Sequence, residues 1–176
     1  PLAVLVRERE LRHAFAGLNA IRFVRPGRLN DGFGKTGCAR AGLAAERALS
    51  EHLATIAEEV SNLFATMDTP SVFLIHDIRF HRAVAQASGN PIVASLVEMV
   101  SALYYEQRRD TAERASGRDL RDAAEAHRQI YQAIRARDVE KARATMNLHL
   151  LQSSAYQAQE ADAATPARTE PSHAAR

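Results

Sequence analysis

The sequence predicts an all-α fold, an antiparallel helical bundle of about six helices, and three observations carry that reading. Apolar residues from Leu43 onward recur at spacings of three and four, the period of helices with one face in a core. The cap-and-proline pairs Thr69–Pro70 and Asn90–Pro91, with Gly89 and Gly117, divide that pattern into segments of helical length. Hydrophobic content of 46% beside 25% charged residues is the balance of a chain that folds, and 176 residues suit one well-packed domain.

Residues Leu2 to Ala16, LAVLVRERELRHAFA, mix apolar and charged groups as a short amphipathic helix does. The next stretch, GLNAIRFVRPGRLNDGFGKTGCARAG, gathers Gly17, Gly27, Gly32, Gly34, Gly37 and Gly42 with Pro26, Asn30 and Asp31. These are turn formers that trace no helical period, so the stretch is expected to be loop. Its basic residues Arg22, Arg25, Arg28, Lys35 and Arg40 suit a solvated loop better than a nucleic-acid contact. Residues 1–42 are thus expected to hold a short helix and an irregular Gly/Arg-rich segment, too little for the three helices and wing of a complete winged helix. The chain opens on Pro1 rather than Met, as expected of a fragment whose upstream part lies elsewhere.

Residues 43–160 are the expected bundle. In LAAERALSEHLATIAEEVSNLFATMD, Leu49, Leu53, Ile56, Val60 and Leu63 form one stripe. Thr69 as N-cap and Pro70 at the first helical position start the next helix, which stops at Gly89. Asn90 caps a further helix with Ile92, Leu96, Met99 and Leu103 in the core and Val93 and Val100 flanking, broken at Gly117. Leu120, Ala123, His127, Ile130 and Ile134 line the helix after that, and Val139, Ala142, Met146, His149 and Ser153 line the last. Residues 161–176 are Ala, Pro and charge, the composition of a flexible tail.

Composition narrows the function. A net charge of +2, from 23 basic against 21 acidic residues, is too small for electrostatics alone to hold nucleic acid. The single cysteine, Cys38, excludes an intramolecular disulfide and suits a reducing compartment. No apolar run approaches the roughly 18 residues of a membrane span, and no secretory signal opens the chain. The reading is a cytoplasmic protein with no membrane partner.

Of the seven histidines, His13, His52, His76 and His173 fall off the apolar stripes or in the tail. His81, His127 and His149 each stand where the helical period expects Leu or Ile, and burying an imidazole without a partner is costly. Asp77 lies one turn before His81 and shares its face. His127 and His149 are separated by the remaining turns of one helix, a short Arg-Ala-Arg-Asp connection and the return of an antiparallel helix, so they can face each other. One carboxylate and three imidazoles suit a divalent transition metal (Zn, Ni, Fe, Mn or Co) and leave positions open for an exchangeable ligand.

The runs DIRFHRAVAQASGNPIVASLV and AHRQIYQAIRARDVEKARATMNLHL resemble the C-terminal effector-binding (FCD) domain of GntR-type transcriptional regulators of the FadR subfamily, over about Leu43 to Gln157. The D-x-x-x-H pair, the later His and the final H-L arrive in the family's order. The resemblance implies an antiparallel bundle holding a divalent metal through Asp77, His81, His127 and His149, with a small organic acid approaching that ion. It further implies a homodimer in which the ligand shifts attached winged-helix domains on operator DNA. Where the family has a helix with an Arg and a Glu before L-A-A, this chain has NDGFGKTGCARAGLAAERA, and the Arg that helps grip a carboxylate is not identifiable. Tyr104, Thr145 and Ser153 are candidate effector contacts: the last two flank His149 by one turn, and Tyr104 borders the apolar stripe of its helix.

The favoured reading is a metal-dependent sensor of a small carboxylate metabolite and not an enzyme, with no catalytic residues. A metal-dependent enzyme acting on a small organic acid and a metal-free helical dimerisation module are the alternatives. The enzyme gains little from a sequence with no H-E-x-x-H and no Glu-x-x-His pairs.

Overall fold

The structure, a computed structural model, describes residues 26–108 and 117–164. Six helices follow one another there: α1 (Pro26–Arg47), α2 (Ser50–Ala65), α3 (Pro70–Ala87), α4 (Pro91–Arg108), α5 (Gly117–Arg135) and α6 (Val139–Ala164). There is no strand among the described residues. Helix α1 packs along α6 and also meets α3 and α5, α2 packs on α3 and α5, and α4 is attached chiefly to α3. The core between them is built from Ile56, Val60 and Leu63 of α2, Phe80 and Val84 of α3, Ile130 and Ile134 of α5, and Met146 of α6. The small residues Ala41, Ala44, Ala45 and Ala48 close it from the side of α1 and its end.

The expectation that the glycine-rich stretch is loop is corrected: residues 26–42 belong to α1, which enters the bundle ahead of Leu43. Gly37 and Gly42 serve a helix contact and not a turn. A Cβ on Gly37 would lie 2.3 Å from Leu150 Cδ1, and one on Gly42 would lie 2.5 Å from Arg143 Nε, both on α6. Gly37, Ala41, Ala44 and Ala48 repeat at the spacing of one helical face, a stripe of minimal side chains that lets α1 lie close against its neighbours. The propensity lost to glycine, about 1 kcal/mol per residue, is offset by that burial.

Two other placements differ from the sequence reading. Leu49 is 57% exposed, because it is the N-cap of α2 and its side chain lies outside the first turn; its N–H donates to His52 Nδ1. Leu53 is half-buried while Ile56, Val60 and Leu63 are buried as expected. On α4, Ile92 is 78% and Leu96 36% exposed, whereas Val97 and Ser101 are buried. Met99 and Leu103 are half-buried. A helix resting on a single neighbour buries a narrow strip, and with apolar residues at 92, 93, 96, 97, 99 and 100 the periodicity does not say which strip.

The boundaries rest on local chemistry. Pro70 sits at the first turn of α3 as expected, although the hydroxyl of its N-cap Thr69 makes no cap bond. Gly89 takes φ +63 just past α3, and Asn90 Oδ1 accepts from the N–H groups of Ile92 and Val93 at 3.0 and 3.2 Å to start α4. Between α5 and α6, Arg137 adopts φ 60 and sends its guanidinium to the carbonyls of Ala45 and Ala48. The last carbonyls of α1 are thereby satisfied by a cation, the favoured charge at a helix C-terminus. The short helix expected over residues 2–16 and most of the expected tail lie outside the described residues, while residues 161–164 continue α6.

Substituting Gly37→Leu places a large side chain in the α1–α6 contact and lowers the unfolding free energy by about 1–3 kcal/mol, read by urea denaturation of metal-stripped protein. An unchanged midpoint would show that α1 is not seated this closely.

Candidate metal and ligand site

Four helices meet over a small polar interior. Asp77 and His81 come from α3, His127 from α5, and His149 from α6. One ligand atom from each lies within 4.8 Å of the others. The four residues that the sequence reading singled out for a metal are therefore brought together. Phe80 supports them: its ring stands edge-on to His127 with centroids 4.6 Å apart and to His81 at 5.5 Å. His81 and His149 stack at 5.2 Å, and the His127 and His149 centroids are 4.3 Å apart.

Hydrogen bonds fix which nitrogens face inward. His127 Nδ1 lies 2.6 Å from the carbonyl of Ala123, which can only accept, so Nδ1 carries hydrogen. In the neutral ring Nε2 is then a bare lone pair, fully buried and without a hydrogen-bond partner. The nearest polar atom is Asp77 Oδ1 at 3.0 Å, another acceptor, placed off the line that a ring N–H would take. Two acceptors at that separation, one fully buried and the other half-buried, repel unless a cation, either a proton or a metal ion, lies between them. Backbone carbonyls that accept from the outer ring nitrogen commonly hold metal-ligating histidines in this way.

A fifth residue completes the interior. Arg40 of α1, only 2% exposed, places Nη2 2.9 Å from His81 Nδ1 and 4.0 Å from Met146 Sδ. Its Nε has no hydrogen-bond partner, and among the described residues no carboxylate lies within ion-pair distance of it. The sequence reading placed Arg40 in a solvated loop; it is a buried cation. The signal that points to it is the four-three-four spacing of Gly37, Ala41, Ala44 and Ala48, which marks a helix and puts Arg40 one residue off its packed face.

Burial and charge set the protonation of the cluster. Burial lowers Arg40 to about 10, a value at which it stays charged at neutral pH, with Asp77 opposing the shift. Burial, then the charge of Arg40, holds His81 well below the ordinary histidine range. Burial, then His127, brings His149 down to about 3. For Asp77 burial pushes upward, but His127 at 3.0 Å, and after it His81 and His149, leave it below the usual carboxylate range. Two neutral imidazoles and one carboxylate carry the charges that metal ligation requires.

The other candidate residues are placed less centrally. Tyr104 packs against Leu74 and Ile78 of α3, the first one turn before Asp77 and the second next to it, and lies under the Arg108 guanidinium. Thr145 donates its hydroxyl to the Lys141 carbonyl at 2.8 Å, which leaves it only acceptor capacity toward a ligand. Ser153 is half-buried, one turn beyond His149. His76 pairs with Glu59 at 2.7 Å, away from the cluster, and His52 takes part in the start of α2. His13 and His173 lie outside the described residues.

Fold and interior together define the class: an all-α bundle domain built around a buried polar centre. The chain belongs to the FCD domain family, which matches residues 37–152. It is similar to the HTH-type transcriptional repressor NanR of Salmonella newport (strain SL254), 30% identical over 112 residues that make up 64% of this chain and 43% of that protein. NanR of Salmonella arizonae is 29% identical over the same shares. The chain thus spans less than half the length of these curated relatives. Among solved structures, E. coli McbR/YncC matches with TM-score 0.71 at 19% identity, covering 86% of this chain and 83% of that one. Streptococcus agalactiae GntR matches with TM-score 0.62 at 22% identity, covering 78% and 63%. At those identities the two structures speak for the fold. The relatives are transcriptional regulators, not enzymes.

The depressed histidines make a prediction for stability. In the unfolded chain His149 takes up a proton below about pH 6.5, whereas in the fold it stays neutral down to about pH 3. Its contribution is therefore present above pH 6.5 and lost as pH falls toward 3, and that of His81 runs in the same direction. Urea unfolding of metal-stripped protein over this range should show a declining free energy, with a shallower decline in His149→Leu.

Proposed function

We propose that this chain is the ligand-sensing domain of a GntR/FadR-type transcriptional regulator. Asp77, His81, His127 and His149 hold a divalent transition metal (Zn, Ni, Fe, Mn or Co), and a small carboxylate metabolite is the effector. The observation that carries the reading is the facing pair of acceptors, the buried His127 Nε2 and the half-buried Asp77 Oδ1, beside a buried Arg40. The first needs a cation and the second an anion; a metal with a carboxylate on it supplies both. A bound ion offers the effector an electrophilic centre with open coordination positions. Around it, Asp77 contributes the negative charge that offsets the ion, and the Ala123 carbonyl holds the His127 ring in the ligating tautomer.

Arg40 supplies the carboxylate contact, because a guanidinium matches the planar carboxylate with paired N–H donors. Tyr104, Thr145 and Ser153 are candidates for contacts with the rest of the effector. Effector binding modulates the affinity for operator DNA of a winged-helix domain that lies outside this chain, in a cytoplasmic homodimer. None of the described helices is long and apolar enough to cross a membrane.

Metal analysis of purified protein should give stoichiometric metal that a chelator removes, and the His127→Ala, His149→Ala double variant should hold none. Stoichiometric metal in that variant would overturn the reading. Screened by thermal shift against small mono- and dicarboxylates, the metal-loaded protein should be stabilised by one of them without turnover. Arg40→Gln should bind that acid about ten- to a hundredfold more weakly, the loss expected for a charge-assisted hydrogen bond.

A further inference from the structure

Arg40 and His81 are joined in a way that conflicts with His81 acting as a ligand through its inward nitrogen. A guanidinium has donors and no acceptor, so the 2.9 Å contact from Arg40 Nη2 requires a bare lone pair on His81 Nδ1. The ring hydrogen must then sit on Nε2, where His149 Nε2 lies 3.2 Å away and can accept it. An imidazole with a bare lone pair at Nδ1 is neutral, so it has a single ring hydrogen to place. To turn a lone pair inward from Nε2, His81 must move that hydrogen to Nδ1. Nδ1–H would then point at the N–H of Arg40, donor against donor, with Arg40 2% exposed and His81 half-buried, so the unmet contact is costly. Arg40 has one other described contact, the weak one with Met146 Sδ, so little else holds it in place.

From this geometry we infer that Arg40 is a latch on His81, released when His81 takes a metal, so that metal loading frees the guanidinium for the carboxylate of the effector. This rests on the proposed metal site and specifies its regulation. In the metal-free protein Arg40 is occupied by His81 and the anion site is closed. In the loaded protein the hydrogen on Nδ1 evicts Arg40, leaving a buried cation whose charge is met by an incoming carboxylate. Metal and anion therefore bind with positive cooperativity that exceeds direct coordination, and the order is metal first.

The test reads tautomers directly. Long-range 1H–15N correlation spectra of the histidine rings are recorded for the intact chain, stripped of metal and then titrated with Zn(II) in buffer free of carboxylates. His81 should carry hydrogen on Nε2 in the stripped protein and on Nδ1 once zinc is bound. A stripped protein with His81 already in the Nδ1–H form overturns the latch, as does a zinc-loaded protein whose His81 Nδ1 still lacks hydrogen. If zinc perturbs none of the four ligand residues, the metal site itself is wrong and the latch falls with it; zinc binding without the tautomer switch rejects the latch alone.

Discussion

The close approach of α1 to α6 is the constraint on which the interior depends. A β-carbon at Gly37 would meet Leu150 Cδ1 and oblige that side chain to shift, and Ala41, Ala44 and Ala48 continue the same minimal surface. A helix kept at an ordinary distance by larger side chains would hold Arg40 away from His81. Held this near, it carries a guanidinium into a space otherwise occupied by imidazoles. Arg137 fastens the far end of the same helix through the Ala45 and Ala48 carbonyls.

Within that space the decisive physics is the hydrogen-bond inventory, not the charges alone. A carbonyl can only accept and a guanidinium can only donate, so Ala123 and Arg40 assign the ring hydrogens of His127 and His81 from outside. His127 is set with its lone pair inward. His81 is set the other way. One ring is thus prepared for a cation and its neighbour is held back, an asymmetry that a list of four ligands does not reveal. Phe80, edge-on to both rings, makes the floor apolar and so raises the cost of leaving any of these groups unmatched.

How much of this could be read from the sequence follows from what each residue signals. His81, His127 and His149 stood out because a polar ring at a Leu or Ile position has a cost that demands a partner, and Asp77 was one turn from the first of them. The bundle was legible because its helices bury stripes of Ile, Leu and Val. Helix α1 was not, since its contact is made by absence: glycine that permits a turn and glycine that permits a near neighbour are the same letter. Arg40 went with it, an arginine in a glycine-rich run looking like solvent-facing charge. On α4 the error was of phase, because its apolar residues are too many to define a single face and only the position of α3 decides between Ile92 and Val97.

The turn between α5 and α6 has a meaning beyond joining two helices. Asp138 begins α6 by accepting from the Lys141 N–H at 3.0 Å, and it stands eleven residues after His127 and eleven before His149. Eleven residues make about three helical turns, so the two histidines lie at one depth on facing sides of a hairpin, measured from a common origin. Surface loops ordinarily absorb insertions with little effect. A residue added inside either helix, between its histidine and the turn, would instead rotate that histidine by about 100° about the helix axis and disperse the cluster. The spacing of each histidine from the turn is therefore part of the site, as surely as the side chains that point into it.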